Sequence, residues 1–320
     1  FNNIKYDRLR NSVIKSSNKY QKLNSEYLFY KNLSSKCSRF YPKVYNFVSE
    51  KSKEKCQLEL EFIPGFTLSE IFIFYNISDY TWTDIFEKLK YIYKQHLVNH
   101  ENDISSLNKV YDYMYLEKTR LRINQFEKYF LNEIQKDKFS YQISKILNNE
   151  FFLNGKKFCS FKKAINNLIK SLKIQIEMDE SEEIYPIHGD MCFNNIIYDP
   201  FFGSLKLIDP RGKDRSGLDL YPKCYDIAKI SHSVLGLYDL IISGIYYLDF
   251  KENNFEFHIH RPPNYEIVKN NFKNYFKIDE SIRLKELTLF ASMLPMHLDS
   301  KERTLALLLR FFQIYSAFSF

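Results

Sequence analysis

The chain has 320 residues, 45% of them apolar and 27% charged, with only eight glycines and nine prolines. That excludes collagen-like, disordered and small disulfide-scaffold proteins, and leaves room for one large bilobal domain or two modest ones. The net charge of +7 suits an anionic ligand, but 46 cations and 39 anions are interleaved along the chain and no motif supports nucleic-acid binding.

Residues 1–64 read as a small α+β N-lobe. Phe1 to Tyr6 and Ser12 to Ser16 are expected strands joined by the polar turn Asp7 to Asn11. Leu23, Tyr27, Tyr30 and Leu33 recur at helical spacing and predict a helix over Lys22 to Leu33. A short strand is expected over Tyr41 to Val48. The cluster Lys51, Lys53 and Lys55, with Glu50 and Glu54 mixed in, reads as a solvated loop. Gln57 to Ile63 alternates, with Leu58, Leu60 and Phe62 on one face and Gln57, Glu59 and Glu61 on the other. Pro64-Gly65 ends that strand and reads as a hinge.

Residues 65–320 read as a large helical C-lobe. Asp84 to His96, Val110 to Phe130 and Phe161 to Ile176 carry i, i+3, i+4 apolar spacing. A β-like island spans Tyr185 to Asp209, and helices are expected over Tyr225 to Leu248 and from Ser281 onward. Met293, Met296, Leu305 to Leu309, Phe311 and Phe312 read as core or helix-packing residues. No apolar run approaches the ~18–20 residues of a spanning helix. The five cysteines are odd in number and never form a C-x-x-C pair, which points to reduced thiols in a cytoplasmic protein. The start at Phe1 rather than Met leads one to expect a fragment or a trimmed chain, and an upstream fused domain is among the partners to expect.

The chemistry concentrates in Ile187-His188-Gly189-Asp190-Met191-Cys192-Phe193-Asn194-Asn195, followed by Leu205 to Ile208 and Asp209-Pro210-Arg211-Gly212. Two apolar strands flanking a turn near Gly203 form a hairpin that brings Asn195 and Asp209 to one end, with Asp190 on the same loop. Three oxygen-bearing side chains converging there make a hard-cation site suited to Mg²⁺ and a polyphosphate. Phosphoryl transfer needs little more than a carboxylate to orient the attacking hydroxyl and ligands to hold the metal and phosphates.

This run resembles the His-Gly-Asp-x-x-x-x-Asn plus Ile-Asp signature of the aminoglycoside phosphotransferase and choline kinase superfamily. More narrowly, His188 to Asp199 with Ile208 to Gly212 and Lys229-Ile230-Ser231-His232-Ser233 resembles bacterial phosphotransferases encoded with capsule or lipopolysaccharide genes. The resemblance implies the protein-kinase-like bilobal fold and use of ATP or GTP with Mg²⁺. It implies Asp190 as the catalytic carboxylate, Asn195 and Asp209 as metal ligands, and His188 as a brace for the catalytic loop. Lys15, after Val13-Ile14, resembles the strand lysine on the α- and β-phosphates, with Glu26 as its ion-pair partner. Glu61, Phe62 and Ile63 resemble the strand along which the base lies. Asp226, in Tyr225-Asp226-Ile227-Ala228, resembles the aspartate that ties down the catalytic loop.

Several features depart from that pattern. No glycine precedes Gly65, so the glycine-rich phosphate loop is expected to be absent or to lie upstream of Phe1, with Asn2-Asn3 or the Asp7 to Asn11 turn as the candidate substitute. Only 16 residues separate Asp209 from Asp226, too few for a protein-substrate activation segment. On the acceptor side Arg211 and Asp226 are the candidates, Asp226 chiefly as a structural N-cap. Arg211 and Lys213 disfavour choline or an aminoglycoside and favour a sugar, polyol or related hydroxyl acceptor, although Glu280, Glu286 and Asp299 offer acidity elsewhere. Lys118 and Arg122, with Tyr115, read as a solvated face, and His258 and His260 lack a third metal ligand. The alternative to a small-molecule kinase is a pseudokinase or binding module serving an upstream enzyme.

Overall fold

Period-two alternation near the start of the chain builds an antiparallel sheet in the order β1-β2-β4-β3. The computed structural model describes residues 3–18, 20–50, 55–97, 109–133, 137–178, 183–213 and 220–320. Strands β1 (Asn3–Asp7) and β2 (Ser12–Ser17) form a hairpin, with Lys15 opposite Ile4 on β1 and Leu58 on β4 (Lys55–Glu61). Strand β3 (Val44–Glu50) completes the sheet three residues later than its expected start. Helix α1 (Tyr20–Asn32) lies on this sheet and buries Leu23, Glu26 and Tyr30. Residues 51–54 of the lysine cluster lie outside the described residues, as do Phe1 and Asn2.

One expectation about β4 fails. Glu59 was assigned to a polar outer face, yet it is buried. Ser12 Oγ donates to its carboxylate at 2.7 Å and Arg10 lies 3.3 Å away, so the charge is buried with partners. Phe62 lies just past the strand end, and its ring packs 4.9 Å from Tyr6.

Beyond Pro64, β5 (Phe66–Thr67) pairs with β9 (Ile196–Asp199), which pairs in turn with β10 (Ser204–Leu207). Gly65 allows this junction: at φ +121°, a Cβ there would lie 2.4 Å from the Tyr198 carbonyl oxygen. Thr67 and Glu70 form a capping box at the start of α3 (Leu68–Phe74), and Ser78 caps α4 (Asp79–His96). Helix α4 therefore starts five residues before the apolar periodicity does, because the cap sets its beginning.

The chain divides into two compact units: Phe1–Asp103 with Glu183–Asp226 and Glu266–Phe276, and Ile104–Glu182 with Ile227–Tyr265 and Lys277–Phe320. The Pro64-Gly65 joint lies inside the first unit. That unit also holds the short pair β8 (Ile184–Tyr185) and β11 (Tyr221–Pro222).

The second unit is helical around a core that includes Phe126, Phe130, Phe161, Leu287 and Phe312. It carries a second four-stranded sheet, ordered β12-β13-β6-β7. Its strands are β6 (Phe151–Leu153), β7 (Lys156–Phe158), β12 (Tyr246–Lys251) and β13 (Asn254–Ile259). The expected helix over Tyr225 to Leu248 is corrected here. Helical turns end at Ile242, Gly244 turns at φ +74°, and Tyr246–Lys251 is a strand whose burial alternates strictly. Met296 is 50% exposed rather than core. Arg122, read as a solvated cation, donates to the Ser292 carbonyl at 3.1 Å. Among the described residues no helix is long and apolar enough to cross a membrane.

Candidate functional site

The hairpin expected from the sequence forms, with Leu207 opposite Ile196 in β10-β9. Ile208 N–H then donates to the Asn195 carbonyl at 2.9 Å, so the chain leaves β10 beside the turn that precedes β9. Asp209 follows at φ +56°, a left-handed conformation uncommon for a residue with a Cβ. Its carboxylate receives the Lys15 ammonium, and Lys15 also pairs with Glu26 at 2.6 Å. The Lys15 and Glu26 side chains are only 6% and 5% exposed, against 48% for Asp209. One buried cation thus joins strand β2, helix α1 and the end of the hairpin.

Asp190 and Asn195 are bound to each other through the loop. Asn195 Nδ2 donates to the Asp190 carbonyl oxygen at 2.9 Å, which leaves Oδ1 as the acceptor atom of that amide. Phe193 anchors the short helical turn that carries Asn195: its ring lies 6.1 Å from Trp82 and 5.7 Å from Phe72. Met191 is fully buried beside it in sequence. Neither anchor was singled out from the sequence, where each is just one apolar residue in a polar run.

His188 is fully buried and its tautomer follows from its bonds. Asp190 N–H donates to Nδ1 at 3.1 Å, so Nε2 carries the proton and donates to the Ile208 carbonyl at 2.8 Å. Burial drives its pKa down to about 3, outweighing the opposing pull of Asp190, and the ring is neutral. Tyr41 stacks on it at 6.0 Å and Phe29 meets it edge-on at 6.5 Å. His188 therefore ties the Asp190 loop to the residue before Asp209.

Asp226 lies inside the first turn of the Tyr225–Val234 helix and is not its N-cap. It is fully buried, and Met191 N–H donates to its Oδ1 at 3.3 Å. Burial lifts its pKa to about 7, with the Met191 and Gly189 amides acting the other way. Arg211 extends from the same loop system. Its N–H donates to the His188 carbonyl at 2.9 Å, its Nη1 donates to Tyr225 Oη at 2.8 Å, and its Nη2 lies 3.6 Å from Asp190 Oδ2. Burial opposes its charge, but Tyr225 and Asp190 outweigh that and hold the guanidinium above its ordinary range.

Mg²⁺ would find two oxygen donors of suitable type, the Asn195 amide oxygen and the Asp209 carboxylate. Such an ion takes one or two protein ligands and completes its shell with phosphate and water. Among the described residues no three His, Cys, Asp or Glu side chains cluster as a metal site, and His258 and His260 are exposed.

Glu61 sits at the end of β4, with its carboxylate accepting the Lys43 N–H at 3.0 Å. Phe62 and Ile63 continue beyond it, half-buried. The Asp7 to Asn11 turn is closed by its own side chain, since Asp7 Oδ1 accepts the amides of Leu9 and Arg10 at 3.0 and 3.2 Å. Within the second unit, Glu286 is fully buried against Arg283 and Ser231, and Asp299 pairs with Arg303.

No family model and no curated protein matches this chain.

Proposed function

We propose that the chain is a nucleotide- and Mg²⁺-dependent phosphotransferase acting on a hydroxyl of a sugar, polyol or related metabolite, with a protein-kinase-like bilobal fold and a cytoplasmic site of action. The observation that carries this reading is the buried Lys15, shared between Glu26 of α1 and Asp209 at the end of the hairpin. A lysine with a fixed carboxylate partner next to a candidate metal ligand is the arrangement that positions the phosphates of a nucleotide.

In this scheme Asp190 orients the acceptor hydroxyl and takes its proton as the oxygen attacks the terminal phosphorus, whose bond to the bridging oxygen breaks and releases the nucleoside diphosphate. Asn195 and Asp209 would hold Mg²⁺, which would neutralise phosphate charge when bound. Lys15 neutralises the phosphates nearer the nucleoside. His188 keeps the Asp190 loop in register with Asp209 through its two hydrogen bonds. Arg211, 3.6 Å from Asp190, supplies positive charge where the acceptor meets the carboxylate. It suits a neutral or anionic acceptor better than a polycationic one.

The test is calorimetric titration of a nonhydrolysable ATP analogue with and without Mg²⁺, together with phosphorus NMR of ATP consumption against sugars, polyols, choline and kanamycin. Mg²⁺-dependent binding that Asp209→Ala abolishes, with turnover of a sugar or polyol, is the expected result. Metal-independent binding, or preferential turnover of choline or kanamycin, refutes it. A second reading, a pseudokinase or binding module, draws on the Asp7 turn. Two amides there that could meet a phosphate already bind an internal carboxylate. Analogue binding without any ATP consumption would select this reading.

A further inference from the structure

Helix α1 has a second working face. Glu26 is turned toward Lys15, whereas Ser25, Leu28, Phe29 and Asn32 line a groove of about 430 Å³. The segment after the helix, Leu33 to Cys37, forms one wall, and Gln95 and His96 at the end of α4 form another. Gly212 and Lys213 close the side next to the Asp209 loop.

We propose that this groove is an effector site for a small organic anion with an apolar body, and that its occupancy is coupled to nucleotide binding. The coupling rests on the phosphotransferase reading; the binding does not. The floor of Leu28, Phe29 and Leu33 supplies apolar surface for the body of such a ligand. Two exposed lysines, Lys36 and Lys213, stand on the rim, and no acidic side chain is among the described residues that line the groove. His96 adds no charge, because burial lowers its pKa to about 4 and Tyr41 Oη lies 3.0 Å from its Nε2. Cationic rim, apolar floor and a volume fit for a small metabolite together favour an amphipathic carboxylate, sulfonate or phosphate ester.

Two contacts lead from the groove to the candidate site. Gly212, three residues past Asp209, packs so closely on α1 that a Cβ there would stand 2.2 Å from the Ser25 carbonyl oxygen. Ser25 immediately precedes Glu26. Phe29 meets the His188 ring edge-on at 6.5 Å, and His188 holds the Ile208 carbonyl before Asp209. A ligand that shifts Ser25 or Phe29 therefore moves Glu26 or His188, and by reciprocity nucleotide must change the affinity of the groove by the same factor.

The test uses 1-anilinonaphthalene-8-sulfonate, a fluorescent sulfonate on an apolar aromatic body, titrated into the full chain. Saturable binding at one site is expected. Joint substitution of Lys36→Glu and Lys213→Glu should weaken it by about tenfold through loss of charge-assisted contacts. Asn32→Trp, which fills the groove from its rim, should abolish it. These are surface changes, and thermal melts check that each variant is folded. An unchanged titration in the folded variants overturns the site. The Mg²⁺-dependent affinity of the ATP analogue is then measured with the probe saturating. A change of at least about threefold supports the coupling, and a smaller one overturns it. Failure of the analogue to bind at all overturns the phosphotransferase reading and the coupling with it, while the fluorescence titration still decides the site.

Discussion

Replacing Lys15 with methionine strips a buried carboxylate of its counter-charge. Glu26 is 5% exposed at the side chain and lies 2.6 Å from the Lys15 ammonium, and Tyr30 Oη donates to the same carboxylate at 3.4 Å. Removing one partner of a buried pair costs about 3–5 kcal/mol, because the remaining charge keeps its desolvation penalty. Asp209 is 48% exposed, so water takes over much of what it loses and its share is at most about 1 kcal/mol. For a unit of this size each kcal/mol moves Tm by about 2–4 °C, so Lys15→Met should lower Tm by roughly 10 °C. Adding Glu26→Leu should recover most of that loss, since removing both charges removes the orphan. Calorimetric melts of the parent, both single variants and the double variant give the coupling directly. The same Lys15→Met protein should lose nucleotide affinity with the acceptor KM little changed. A Tm drop under about 2 °C, or a double variant no more stable than Lys15→Met, refutes the claim that this pair is a desolvated joint.

Asp190→Asn should lower kcat by about 10²–10⁴-fold with nucleotide affinity nearly unchanged, read by coupled assay and calorimetry; full turnover removes Asp190 from the mechanism. Gly212→Ala should destabilise the protein by at least about 1 kcal/mol, because φ is +60° and the added methyl meets the Ser25 carbonyl; an unchanged melt means the loop does not rest on α1. Two buried groups set the pH dependence. His188 has a folded pKa of about 3, below its unfolded value, so the stability it contributes is complete above about pH 6.5 and is lost as pH falls toward 3. Asp226 has a folded pKa raised to about 7, so its contribution is complete below about pH 4 and is lost as pH rises toward 7. Asp226→Asn should flatten that upper slope in melts recorded from pH 4 to 8, and an unaltered slope rules the group out.

The parts of the first unit that were legible in the sequence are those where pattern and packing agree. Leu58 and Leu60 alternate and are buried, Leu23 and Tyr30 share one helical face and are buried, and the hairpin register follows from two apolar strands around Gly203. Strand β12 was read as helix because Leu240 to Leu248 is one apolar run, even though Tyr246, Leu248 and Phe250 already alternate with Tyr247, Asp249 and Lys251. The buried state of Glu59 was invisible because its partners, Ser12 and Arg10, are some fifty residues away in sequence. The candidate site divides in the same way. Asp190, Asn195 and Asp209 carry their chemistry in the residue type, while Phe193, Tyr41 and Phe29 hold the loop by packing that no spacing announces.

Among the described residues, two glycines sit where one stretch of backbone crosses another: Gly65 over Tyr198 and Gly212 over Ser25. A crossing of this kind is blind to side-chain chemistry: any Cβ at either position meets a carbonyl oxygen, whatever group it carries. What these two positions contribute is the absence of an atom. The exit of the sheet and the loop three residues after the hairpin aspartate are thus held by contacts that no pattern of charged residues encodes and that only glycine permits.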